Sequence, residues 1–166
     1  MNSTAVSGML ALVLAPACFA AWAATAQVEF VNPEAFTDAG RKYQGQERDE
    51  NLERLRRHIV EQAQRRLPAD QVLTVQVLDV DIAGYYDPRQ KFASEVRVVK
   101  DIYPPRIKLR FKLASAEGTV LKEGETRLTD PNFLTRASRY STDGLGYEKT
   151  MLDSWFRKEF PQPKKR

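Results

Sequence analysis

The chain has 166 residues, 42% hydrophobic and 29% charged, which fits one domain with its own core and excludes general disorder. The net charge is +4, and Lys164, Lys165 and Arg166 at the C-terminus supply three of those four charges. Nucleic-acid binders concentrate lysine and arginine on one face of the fold. A nearly neutral body with a short basic tail at 161–166 argues against nucleic acid as the partner.

The first 26 residues carry no charged side chain, and Gly8 to Ala24 is apolar apart from Pro16. Ala24-Thr25-Ala26 then presents the small-x-small pattern that signal peptidase cleaves. The pattern predicts a secretory signal peptide over 1–26, a new N-terminus at Gln27, and a periplasmic or secreted protein with no integral membrane segment left. Two alternatives stay open. One is an uncleaved anchor, because about 20 apolar residues span a bilayer. The other is a lipoprotein signal at Cys18, although Ala15-Pro16-Ala17 departs from a lipobox. Cys18 is the only cysteine, so no disulfide forms within the chain, and removal of the leader also removes any thiolate chemistry.

Val28 to Val31 alternates and stops at Asn32-Pro33, a short first strand. Leu52, Leu55, Ile59, Ala63 and Leu67 recur at steps of three and four, which predicts a helix over 47–67. Glu50–Arg54, Glu53–Arg57 and Glu61–Arg65 stand at i, i+4 with the acid first, the favourable order. Gln71 to Ile82 is valine-rich and reads as a central strand, with a third strand at 95–99. Arg106 to Leu113 alternates cleanly, Ser115 to Gly118 is a hairpin turn, and Thr119 to Leu128 returns as the fifth strand. Tyr147, Met151, Leu152, Trp155, Phe156 and Phe160 form the apolar stripe of a closing helix over 147–160. The order predicts an α+β two-layer sandwich: a mostly antiparallel sheet of about five strands with two helices on one face. Residues 27–160 form the single domain, with Leu55, Ile59, Phe111, Met151 and Trp155 in its core.

Candidate chemistry is sparse. Asp79 and Asp81 lie two residues apart on a strand, sharing a face with about 6.6 Å between Cα atoms, a spacing at which calcium or magnesium accepts two carboxylates. The competing reading is structural: a bulge near Leu78 turns both aspartates outward and Gly84 makes the turn. Asp130 is a third candidate ligand. His58 is the only histidine, and with no cysteine in the mature chain a zinc site is not expected. Ser138, Ser141 and Ser154 lack a G-x-S-x-G context, and no phosphate-binding glycine motif occurs. No cofactor is implied. Tyr103, Pro104, Pro105 and Arg106 form a rigid, extended segment, a candidate interaction surface.

Four blocks, VEFVNPEAF, LDVDIAG, YPPRIKLRF and YEKTMLDSWF, stand in this order behind the leader. In them the chain resembles the domain-of-unknown-function family 3016, small exported proteins of Gram-negative bacteria. The resemblance spans nearly all of the mature chain and implies an exported domain. It brings no activity, substrate or catalytic residue. Together the residues predict a non-catalytic periplasmic binding or envelope-associated interaction domain; they name no partner, and another envelope protein is the candidate. The alternative is a metal- or carboxylate-dependent enzyme centred on Asp79 and Asp81.

Overall fold

The computed structural model of the protein describes residues 25–41, 45–87, 96–136, 139–140 and 142–162. In chain order its elements are β1 (Thr25–Phe30), a 3-10 turn (Pro33–Ala35), α1 (Gly45–Arg66), β2 (Gln71–Asp81), β3 (Tyr85–Tyr86), β4 (Arg97–Val98), β5 (Arg106–Ser115), β6 (Val120–Thr129) and α2 (Gly146–Glu159). Nearly all of the leader and the end of the basic tail lie outside the described residues.

Four strands form the main sheet in the order β1-β2-β5-β6. β1 runs parallel to β2, and the other two pairings are antiparallel. Neighbouring parallel strands need a crossover, and α1 supplies it. Its stripe, Leu52, Leu55, Ile59 and Ala63, is buried against Leu73, Val75 and Val77 of β2 in one core cluster. The same cluster holds Ile107, Leu109, Phe111 and Leu113 of β5, and Met151, Leu152, Trp155 and Phe156 of α2. The fold is therefore α+β, with both helices covering one face of a mostly antiparallel sheet. The opposite face carries Thr74, Gln76, Arg110, Lys112, Glu123 and Glu125, which suits a sheet wetted on one side.

The expected count of about five strands holds roughly: four form the main sheet, and the strand expected over 95–99, seen as Arg97–Val98, leaves it and pairs with Tyr85–Tyr86 as a separate ribbon. Gly84 directs that departure: its φ is +86° and a Cβ there would meet the Val98 carbonyl oxygen at 2.5 Å. Of the three expected helix pairs, Glu61–Arg65 forms at 3.5 Å. Glu53 instead meets Arg56 at 3.2 Å, and Arg54 reaches out of the helix to Asp143. A partner supplied by tertiary packing has displaced the local one.

Candidate functional site

The bulge between Val77 and Asp79 shifts the inward set of β2 by one residue, from Leu73, Val75 and Val77 to Val80. Asp79 and Asp81 are thereby turned to the face away from the helices, across from Lys108 and Arg106. Asp79 accepts from the Thr37 N–H at 2.8 Å and from its hydroxyl at 2.9 Å. Asp81 pairs with Arg106 at 2.9 Å. Burial raises the Asp81 pKa, and Arg106 opposes it only in part. Asp130 is on the helix side at the end of β6, where it accepts from the Asn132 N–H at 3.1 Å and lies 3.4 Å from Arg136. The three aspartates are thus separately engaged. Among the described residues no group of three or more His, Cys, Asp or Glu side chains is arranged to hold a metal.

A second cluster fastens the β3–β4 ribbon. The Arg97 fork donates to both oxygens of Asp38 at 2.8 and 2.9 Å and to the Ile82 and Gly84 carbonyls, while stacking 4.4 Å from the Tyr86 ring centroid. Tyr86 in turn donates to Glu47 at 2.7 Å. Burial tends to raise the Glu47 pKa, but the bonds from Tyr86 and Arg41 outweigh it and hold the carboxyl below its ordinary value. Beyond this fastening, Tyr103 stacks on Tyr85 at 4.8 Å. Tyr103 and Arg106 are exposed, Pro104 is half-buried and Pro105 is buried. Among the described residues seven large hydrophobic side chains are exposed, and four of them, Val96, Val99, Ile102 and Tyr103, fall within 96–103. Such clustering marks an interaction surface more than scattered exposure does.

The third cluster was not foreseen. His58 is 4% exposed, and its Nε2 lies 2.9 Å from Oδ1 of Asp153, itself 2% exposed. The other Asp153 oxygen accepts from Arg139 at 2.8 Å and from the Tyr140 hydroxyl at 3.1 Å. The Tyr140 ring stands edge-on to His58 at 5.3 Å. Gly146, opening α2, allows this approach, since a Cβ there would meet the Tyr140 carbonyl oxygen at 2.5 Å. Burial tends to raise the Asp153 pKa, but His58, Tyr140 and Arg139 together hold it below the ordinary carboxylate value. Burial raises the Tyr140 pKa, helped by the Asp153 charge. The adjacent Ser154 hydroxyl donates to the Thr150 carbonyl at 3.0 Å rather than to His58, so the pair orients side chains without activating a serine. The readable signal was the chain's one histidine at the edge of the apolar stripe of α1 and an aspartate set between Leu152 and Trp155 in α2.

A family model described as a protein of unknown function, DUF3016, matches residues 24–158. No curated protein matches the chain.

Proposed function

We propose, from the premise that the chain belongs to the DUF3016 family, that it is an exported, non-catalytic binding domain that meets another envelope protein. The concentration of exposed Val96, Val99, Ile102 and Tyr103 on and beside the ribbon carries this reading. These side chains present an apolar surface, while Arg97 and Tyr86 hold the ribbon from beneath. The leader over 1–26 takes the chain to the periplasm and is removed after Ala26. Among the described residues no helix is long and apolar enough to cross a membrane. An enzyme centred on Asp79 and Asp81 is the weaker reading, because Thr37 and Arg106 already occupy those carboxylates.

The test is site-specific photo-crosslinking in a Gram-negative host. A probe at Ile102 should give one discrete protein adduct in the periplasmic fraction, and a probe at Lys112 on the open sheet face should not. Intact mass should place the N-terminus at Gln27. Equal labelling from both positions, or none from Ile102, would remove the interaction surface. A full-length product embedded in the membrane would remove the export reading.

A further inference from the structure

We propose that the cleft between Arg136, Arg139 and Tyr140 on one side and α2 on the other binds a phosphate-type tetrahedral oxyanion, clamped by Arg136 and Arg157 over Ser154, with Arg139 alongside. The cleft has a volume of about 420 Å³. Ser154 is its hub: its oxygen accepts from Arg157 at 2.9 Å and from Arg136 at 3.3 Å, and its proton goes to the Thr150 carbonyl. Two guanidinium groups are thus drawn to one neutral oxygen, an arrangement of like charges that an anion between them would relieve. Arg136 has a longer contact with Asp130 at 3.4 Å. Arg157 pairs with no carboxylate among the described residues. Asp153, the acid nearest the cleft, has both oxygens engaged by His58, Arg139 and Tyr140, so it positions Arg139 and is itself screened.

The surroundings extend the same field. On the other side of Tyr140 a smaller cleft is lined by Arg54, Arg57 and Lys149. Arg54 and Lys149 share the single carboxylate of Asp143. The two clefts together present six cations against three carboxylates, Glu61, Asp143 and Asp153. Cations therefore outnumber carboxylates along these two clefts, a local field that attracts anions. The ligand class follows from donor geometry. Guanidinium forks match oxyanions with paired N–H donors, and two forks on one hub, with Arg139 held alongside by Asp153, offer more donors than the two oxygens of a carboxylate accept. Free phosphate and a phospholipid headgroup share this chemistry.

The experiment has two arms, each run on the purified chain. Inorganic phosphate is titrated calorimetrically at ionic strength fixed with chloride. Sedimentation is measured with vesicles of phosphatidylcholine, with and without phosphatidylglycerol. In whichever arm binds, Arg157→Gln should weaken binding about tenfold, the effect of losing a charge-assisted contact, and adding Arg136→Gln should weaken it further. Arg157→Lys should recover part of the loss, because a point charge replaces the fork. Arg127→Gln removes the same charge from the exposed open face of β6 and should change nothing. Arg157 is exposed, so the single variant should fold, which circular dichroism checks. Binding in the first arm identifies a free anion, and binding in the second alone identifies a lipid-borne phosphate. No binding in either arm overturns the site, and so does equal weakening by Arg127→Gln.

Discussion

Glu148 lies in the first turn of α2 with no exposed surface; its Oε1 accepts from the Ala83 N–H at 2.8 Å and its Oε2 has no partner. Burial raises its pKa, against the opposing Ala83 bond. Such a carboxyl keeps its proton longer in the fold than in the unfolded chain. Its contribution is complete below the unfolded pKa and is lost as pH rises through the native value. Glu148→Gln cannot ionise, so its melting temperature relative to the parent should climb as pH rises above the ordinary glutamate value of about 4.3. Asp153, five residues further along α2, is held below its ordinary value. Its contribution is present above the unfolded pKa and is lost as pH falls through the native value. Asp153→Asn should therefore cost about 1–3 kcal/mol near neutrality, chiefly by weakening the bond to buried His58, since Arg139 is exposed, and the deficit should shrink in acid. Thermal melts in acid and near neutrality read both effects, and parallel curves for parent and variants would contradict them. The same melts address Asp79 and Asp81, whose oxygens already accept from Thr37 and Arg106. Calcium, magnesium or zinc at about millimolar concentration should not raise the melting temperature, because only a ligand bound to the native state does so. A rise abolished by Asp79→Asn with Asp81→Asn would restore the metal reading.

At the scale of elements, the ribbon is the piece that sequence periodicity could not place. Two paired residues in each strand are too few to show a period. The ribbon's position depends on Gly84 and on Arg97 reaching Asp38, 59 residues away. Arg97→Lys keeps the charge and loses the fork, at a cost of about 1.5–3 kcal/mol for its charged hydrogen bonds. Amide exchange should quicken at 84–86 and 97–98 and stay slow at 107–113 in β5. Equal acceleration in both regions would make Arg97 a support of the whole sheet instead. By contrast, the stripes of α1 and α2 and the alternation of β5 were legible, because one buried face imposes a period of 3.6 or 2 along many residues. The bulge near Leu78 was legible for a related reason: only a shift of phase reconciles Leu73, Val75 and Val77 with Val80 on one face. The His58–Asp153 contact spans 95 residues, and the sequence shows its two halves but not their meeting. Arg54 illustrates the opposite error, since its local partner Glu50 loses to Asp143.

For the molecule as a whole, stability rests on the fit of two helices to one sheet face, because the single cysteine, Cys18, permits no internal disulfide. Trp155 is the centre of that fit. It is 4% exposed and its ring meets Phe111 at 5.5 Å, Phe156 at 4.7 Å and Phe160 at 5.6 Å. Trp155→Ala should cost about 3–5 kcal/mol, comparable to the lower end of a small domain's stability of about 5–15 kcal/mol, and should leave the chain largely unfolded. The C-terminal end carries much less. Among the described residues beyond Pro161, Gln162 donates one exposed hydrogen bond, at 2.8 Å, to the Arg65 carbonyl at the end of α1. Deleting Gln162 to Arg166 should therefore cost no more than about 1 kcal/mol, a small shift in melting temperature. Fluorescence separates a docked α2 from a loose one. In a chain shortened to Gln27–Arg166, Trp155 is the only tryptophan, and a buried indole among phenylalanines emits to the blue of the unfolded chain. Emission like that of a solvated indole in the native protein would mean that α2 is undocked. The core would then be incomplete without a partner, and the arginine cleft, which is built on α2, would lose its scaffold.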